Sequence, residues 1–302
     1  MATISPHRPA RCLEGNGHRR IHPAPGGILK DVGIAAGYRE WAPPPALRSA
    51  VACLWSSQDP ADLAASPAGA PRATLVLPDG CADIIWQRGR GAFVAGPDTG
   101  PVAVPTEPSA VLVGVRFRPG AGGGLLGVPL SELRDQRVDL ADLRPELDRA
   151  LPADLDPDQA VGRLTRLTGQ LAEATAADRA VRRACHLLAS PAARTEYVSD
   201  EVGLSPRQLR RRCEAAVGYG PKMLQRVLRF RRFVSLVDAT GGVTDLAEAA
   251  VTSGYADQPH LTRETVQLAG LTPAALIRTR HPQVASGSAI IAVPTRRKPI
   301  RA

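Results

Sequence analysis

Two hydrophobic rhythms divide the 302-residue chain. Up to residue 120, apolar residues come in short β-prone runs broken by Gly, Pro and Asp: Leu47–Ser57, Ala73–Gly80, Cys81–Gly89, Gly91–Pro97 and Ser109–Gly120. Such runs predict an antiparallel barrel or sandwich, although Leu47–Ser57 reads equally as a short helix. The two runs meeting at PDGC predict strands joined by a tight turn. Beyond the AGGG of Ala121–Gly124, Leu and Ala recur every three to four residues, in LLGVPLSELRDQRVDLADL and again over Asp158–Leu188. That period predicts a helical connector over 123–178, with packing and a dimer contact both open as its role. The first forty residues are rich in Gly, Pro and His, show little periodicity, and predict a loosely ordered lead-in ahead of a β-rich domain at 41–122.

From Val181 onward the pattern predicts only helices and turns. Arg182–Ser190 and Tyr197–Val202 form the first two helices. Ser205 is a natural N-cap, with Pro206 at the first helical position and Gln208 three residues after the cap. Pro221 opens a long helix that Gly241 and Gly242 close, Thr244 caps the next, and LTPAALIR ends the fold near residue 282. The tail 283–302 is a short basic arm. The predicted class is α+β: a β-rich N-terminal domain, a helical connector and an all-α C-terminal domain.

The C-terminal part contains an internal repeat. GLSPRQLRRRCEAAVGYGPKML and GYADQPHLTRETVQLAGLTPAAL align with Leu209 on Leu261, Gly218 on Gly270 and Pro221 on Pro273, each 52 residues apart. Each copy has a short helix, a tight turn (one residue longer in the second copy), an amphipathic helix, a closing glycine and a proline-led segment. This is a helix-turn-helix twice over. On the first amphipathic helix Arg207, Arg210 and Arg211 share one face, while Leu209 and Cys213 share another. On the second, Gln258, His260 and Arg263 flank Leu261, with Thr262 beside them. Arg and Gln match the acceptors and donors on guanine and adenine edges in the major groove. Two such helices, joined through Pro221–Ala239, would enter successive grooves roughly 34 Å apart. An arginine triplet alone is more often a solvated helix face, and His260 serves a structural or phosphate-facing role as readily as a base-reading one.

Charge strengthens the DNA reading. The chain carries 38 Lys and Arg against 29 Asp and Glu. From Ala176 to the end the counts are 20 and 10, so the basic excess belongs to the C-terminal part. Hydrophobic residues make up 44% and aromatics only 4%, which predicts cores of Ala, Leu and Val. The five cysteines, Cys12, Cys53, Cys81, Cys185 and Cys213, show no C-x-x-C spacing. No stretch approaches 18 apolar residues, and no apolar h-region follows the basic N-terminus. A reduced, soluble, cytoplasmic protein without membrane association is expected.

Roughly Arg179 to Arg280 resembles the DNA-binding domain of the AraC/XylS family of bacterial transcription regulators. VGLSPRQLRRRCEAAVGYGPK and SGYADQPHLTRETVQLAGLTPAAL look like its two helix-turn-helix halves, in order. The resemblance implies one recognition helix from each half in adjacent major grooves, with base-facing places at Arg207, Arg210, Arg211, Gln258, Pro259, His260, Arg263 and Glu264. Pro259 cannot donate, and Glu264 would accept from cytosine or face away. Base reading is therefore expected from Arg207, Arg210, Arg211, Gln258, His260 and Arg263, and backbone contacts from Ser205, Arg212 and Thr262. The family commonly carries an aromatic where this chain has Cys213 and Thr265; the Thr265 hydroxyl needs a partner.

The N-terminal segments GYREWAPPPALRSAVACLWSS, LVLPDGCADIIW and VGVRFRPGAGGGLLGVPLSELRD resemble an uncharacterised domain found ahead of this module in actinobacterial regulators. That resemblance implies a regulatory or oligomerising role and a small barrel similar to cupin-like sensors. Asp79 is expected to cap the PDG turn, and Cys81 to pack in the core. Trp55, Trp86 and Phe93 either fill the core or line an apolar pocket. Catalysis is not expected: no His accompanies Cys81 in its block, while His7, His18 and His22 lie in the lead-in. No cofactor or metal is expected. The expected partner is double-stranded promoter DNA, with a small-molecule effector, a second copy of the chain and RNA polymerase as further candidates. The competing reading is a non-specific nucleic-acid binder whose N-terminal domain binds a ligand or acts as a scaffold.

Overall fold

The computed structural model describes residues 28–30, 37–58, 72–105 and 110–282. Most of the lead-in, with Cys12, His7, His18 and His22, and the basic tail 283–302 lie outside them.

Among the described residues, nine strands precede most of the helices. They are β1 (Ile28–Lys30), β2 (Tyr38–Trp41), β3 (Val51–Gln58), β4 (Arg72–Val76), β5 (Asp83–Gln87), β6 (Gly91–Ala95), β7 (Val102–Pro105), β8 (Val111–Phe117) and β9 (Arg137–Asp139). A six-stranded sheet runs in the order β2-β3-β8-β5-β6-β9, and a three-stranded sheet in the order β1-β4-β7. The Leu47–Ser57 run divides into a 3-10 turn, Pro45–Leu47, and strand β3.

Alternation sorts the large sheet into two faces. Ile84, Trp86, Ala92, Val94, Val113, Val115 and Phe117 point into the main core. Trp55, Ile85, Phe93 and Ala95 form a smaller cluster on the other side. The Trp55 ring lies over Gly114, where any Cβ would fall 2.2 Å from it. The three aromatics singled out in the sequence are thus buried in packing clusters. The Trp86 indole also donates to the carbonyl of Pro152 at 2.9 Å.

One expectation is corrected here. Among the described residues no sheet closes into a barrel: β2 and β9 are the edges of the large sheet. The runs flanking PDGC are strands joined by a turn, as the sequence predicts, but they do not pair with each other: β4 pairs with β1 and β7 while β5 pairs with β6 and β8. The Asp79 carboxylate accepts from the Cys81 amide at 2.9 Å, and Gly80 adopts φ +82, so the turn passes the chain from one sheet to the other. Asp79 caps that turn and Cys81 is buried, as the sequence predicts.

The middle region holds helices α1 (Gly122–Leu126), α2 (Leu140–Leu143), α3 (Pro145–Asp148) and α4 (Pro157–Ala174). Its leucine spacing is only partly helical. Arg137–Asp139 instead adds an edge strand to β6, because Arg137 is drawn into a bidentate pair with Asp98 while Val138 enters the core. Helix α4 starts with an Asp156–Gln159 capping box and buries Ala160, Leu164 and Leu171 in the same core as the large sheet.

Among the described residues seven further helices follow: α5 (Arg179–Leu188), α6 (Thr195–Glu201), α7 (Pro206–Val217), α8 (Pro221–Ala239), α9 (Leu246–Ser253), α10 (Gln258–Ala269) and α11 (Pro273–Arg280). They share a second core running from Val181 to Ile277. Helix α8 is its spine, packing against α5 and α7 on one side of the repeat and α9 and α10 on the other. The architecture is α+β, with a sheet region first and a mostly helical region after it.

Candidate nucleic-acid interface

The repeat read from the sequence is a repeat of local geometry. The first unit is α6-turn-α7 and the second is α9-turn-α10. Helix α6 ends at Gly203 (φ +65), with the Leu204 amide bonded to the Ser199 carbonyl; α9 ends at Gly254 (φ +91), with Tyr255 bonded to Ala250. These αL glycines close both first helices in the same way. The N-cap then follows two residues later at Ser205 in the first unit and three residues later at Asp257 in the second. The extra residue of the second turn lies between the glycine and the cap.

Each cap satisfies amides that the first helical turn leaves open. Ser205 accepts from the Gln208 amide at 3.3 Å, and the Gln208 side chain accepts from the Ser205 amide at 2.9 Å, a complete capping box. Asp257 accepts from the His260 amide at 2.7 Å. Before α9, Asp245 rather than Thr244 is the cap, accepting from the amides of Ala247 and Glu248. A carboxylate is the better acceptor at a helix N-terminus and favours the positive end of the dipole.

Core positions match across the copies. Leu209 and Leu261 are fully buried, as are Leu224 and Leu276 and the departures Cys213 and Thr265. Burial pushes the Cys213 thiol up to about 12. The Thr265 hydroxyl has no hydrogen-bond partner among the described residues.

The surfaces differ. On α7, Arg207, Arg210 and Arg211 are all exposed. Arg207 and Arg211 have no ion-pair or hydrogen-bond partner among the described residues. Arg210 donates to Glu214 at 2.8 Å on the exposed helix flank, which raises the guanidinium above its ordinary value. Arg212 turns away from them. It is half-buried and pairs at 2.8 Å with Asp178, the residue that caps α5. That bond joins α7 to α5.

On α10, Gln258 and Arg263 are exposed and without partners among the described residues, and Thr262 is half-buried. His260 points inward. Its Nδ1 accepts from the Ala256 amide at 3.4 Å, Nε2 lies 3.4 Å from Arg229, and the ring meets Tyr255 edge-on. Glu264, buried beneath it, accepts from Arg226 at 2.9 Å, while Arg226 also bonds Gln267. Arg229 stacks on Tyr255, and burial beside Arg229 lowers the Arg232 guanidinium. Tyr255 is therefore a core plug, its hydroxyl pushed up by burial and the nearby Glu264 carboxylate. This inward cluster was not anticipated from the sequence. Its signal was the run Arg226, Arg229 and Arg232 on the inner side of α8 at helical spacing.

The described residues form a sheet region followed by a helical region that holds two helix-turn-helix units. Residues 39–139 match the family model described as a domain of unknown function, DUF6597, and residues 198–279 match that of a helix-turn-helix domain. Among solved structures, the chain is similar to ToxT from Vibrio cholerae O395, with 10% identity and a TM-score of 0.39 over 68% of this chain and 92% of that one. It is also similar to unsaturated fatty acid bound ToxT from Vibrio cholerae strain SCE256, with 12% identity and a TM-score of 0.38 over 68% and 88%. No curated protein matches the chain by sequence. No helix among the described residues is long and apolar enough to cross a membrane.

Proposed function

We propose that this protein is a sequence-specific transcriptional regulator of the AraC/XylS type, which places α7 and α10 in adjacent major grooves of promoter DNA. The observation that carries this reading is the pairing of geometry with chemistry. Two helix-turn-helix units with equivalent caps and cores are joined by one long helix, and each second helix exposes unpaired donors at its N-terminal end. Arg207, Arg210 and Arg211 read base edges from α7; Gln258 and Arg263 read them from α10. The α7 and α10 amides, with Ser205 and Thr262, position the phosphates. His260 is proposed to hold its helix in place, because both ring nitrogens face partners within the protein; Arg212 joins α7 to Asp178 through Nε and keeps its outer nitrogens for a phosphate.

The N-terminal region is the regulatory half of this reading. A small-molecule effector, a second copy of the chain and RNA polymerase are its proposed partners, and thermal-shift screening against pooled metabolites tests the first of them. The domain limits belong to the same proposal: sheet region 41–122, helical region 123–178 and DNA-binding region 179–282.

Selection from a randomised duplex library tests the main claim. A split motif with parts about one helical turn apart is the expected product. Arg211→Ala is then expected to cost about 1–3 kcal/mol and to relax one motif position, as loss of a bidentate contact to guanine does. Equal weakening on selected and random duplexes would reject base reading by Arg211 and favour the non-specific alternative. Salt dependence does not separate the two, because phosphate neutralisation produces it in both.

A further inference from the structure

Helix α7 is held by more than its own domain. It packs against α1 and the 3-10 turn Leu130–Glu132 of the N-terminal region. A Cβ on Gly123 would fall 2.6 Å from the Ala215 carbonyl of α7, so that approach is open only to glycine. Arg231 on α8 donates to the Asp79 carbonyl at 3.2 Å, and Arg182 on α5 bonds the Ser49 carbonyl.

One loop of the N-terminal region touches both recognition helices. Residues 96–101 follow β6 and lead into β7. Gly218, which closes α7, sits against Pro97: a Cβ there would lie 2.3 Å from the proline ring. Gly270, which closes α10, faces Pro101, with the corresponding distance at 3.5 Å. Gly218 and Gly270 are equivalent residues of the repeat, 52 positions apart, and both adopt φ > 0. The loop therefore bridges the same point on the two units.

The loop is also stiff. Gly96 donates to the Gln136 carbonyl at 3.0 Å, and Asp135 donates to the Pro97 carbonyl at 3.2 Å. Buried Asp98 takes a bidentate pair from Arg137 at 2.8 and 2.7 Å. The Asp135 carboxylate accepts from both the amide and the hydroxyl of Thr99, and Asp135 holds φ +58 to do so. Planar two-point pairing of Arg with a carboxylate fixes orientation as well as distance.

Helix α8 joins the two units from inside their shared core, packing against α7 of one and α9 and α10 of the other. A second connection closes a ring from α7 through the loop to α10 and back through α8. We infer that residues 96–101 act as a tie that sets the spacing of the two recognition helices, with Asp98, Arg137 and Asp135 as positioning residues for two-groove binding. This rests on the reading of α7 and α10 given above. It makes the N-terminal region a determinant of operator geometry, and it gives any event that moves the loop a route to DNA affinity.

The test uses the full chain and two variants. Asp98→Asn weakens the buried pair. Asp135→Gly removes the Thr99 contact at a backbone angle that glycine accepts without strain, so it is the variant expected to keep the fold. Affinity is measured on the selected operator and on duplexes with one base pair added or removed between its parts. Wild-type protein is expected to lose about tenfold or more per altered base pair, because each step displaces and rotates one groove relative to the other. In the variants that penalty should fall below about threefold, with weaker binding to the parent operator. A second readout needs no DNA: spin labels at Arg211→Cys and Arg263→Cys, with Cys12 and Cys53 replaced by serine, should give a narrow distance distribution that Asp135→Gly broadens. Folded variants that keep both the spacing profile and the narrow distribution overturn the tie. A broadened distribution without any split operator keeps the tie and overturns the two-groove reading instead.

Discussion

The two helix-turn-helix units use the same scaffold for different surfaces. Leu209 and Leu261, Gly218 and Gly270, and Pro221 and Pro273 occupy equivalent places with equivalent burial or backbone form. Around that frame the charges are distributed in opposite ways. The first unit turns three arginines to the surface of α7 and keeps one, Arg212, for Asp178. Beside the second, α8 turns Arg226 and Arg229 inward around Glu264 and His260, and α10 leaves Gln258 and Arg263 exposed and unpaired among the described residues. At equivalent positions 212 and 264 the polarity is reversed: a cation on α7 seeks an acid near α5, and an acid on α10 seeks cations on α8. Packing fixes where a recognition helix lies, and the residues around that packing are free to decide what it meets. The first unit exposes three arginines on its second helix, and the second unit exposes one.

The scaffold equivalence is broken most strongly at its centre. Leu209→Ala and Leu261→Ala should each cost about 2–5 kcal/mol, the range for a leucine removed from a fully buried site. Far-UV circular dichroism in urea is the appropriate probe, because all three tryptophans, Trp41, Trp55 and Trp86, lie in the sheet region and report that part instead. Costs that differ by more than about 2 kcal/mol would mean that one unit can collapse around its cavity and the other cannot, so the equivalence would be one of position only.

The reversed ion pairs give the next effect. Glu264 is almost fully buried, and Glu264→Gln leaves the Arg226 and Arg229 guanidiniums facing a neutral amide, for a cost of about 2 kcal/mol. The Arg212–Asp178 pair is more than a third exposed on its arginine side, so Arg212→Gln should cost about 1 kcal/mol or less. Urea midpoints of the two variants check the order. Equal costs would place the second pair in a wetter setting than its burial indicates.

The helical region was the more legible half of the sequence because its signals are local. A Ser-Pro-x-Gln start, glycines at helix ends and prolines at helix starts act within one turn, and the helix α8 limits follow from Pro221 and the glycines after Ala239. Pairing between strands is not local, and it was not legible: the strands and turn around PDGC could be read, but not that the capped Asp79 turn sends them to different sheets. Leucines at three-to-four spacing around Arg137 looked helical, and only the distant Asp98 explains why that segment is a strand. The exposed positions of Arg207, Arg211, Gln258 and Arg263 could be found from helical phase. The inward turn of His260 and Arg212 could not, since it depends on Glu264, Arg229 and Asp178 on other elements or turns.

Thr265 tests a smaller difference between the units. Its hydroxyl is buried without a partner among the described residues, whereas its counterpart Cys213 presents a thiol that tolerates an apolar setting. Thr265→Val keeps the shape and removes the orphaned group, so a gain of about 1 kcal/mol is expected. Cys213→Thr should lose a similar amount by creating the same defect in the first unit. If Thr265→Val were destabilising, the hydroxyl would have a partner, such as a water within the core, and the two positions would differ in solvation as well as in residue.

Arg210 separates display of charge from its use. Its guanidinium is 73% exposed and bonded to Glu214 one turn along α7, a pair too solvated to support the fold appreciably. Glu214→Ala should therefore leave thermal unfolding unchanged. What it changes is availability: Arg210 no longer shares its donors with a carboxylate, and a negative charge leaves the neighbourhood of the phosphates. Binding to the selected operator should tighten slightly. If the motif also sharpens at one position, Arg210 reads a base beside Arg207 and Arg211. If affinity rises equally on random duplexes, Arg210 contributes only to the field that draws DNA toward the first unit, and sequence reading on α7 narrows to Arg207 and Arg211.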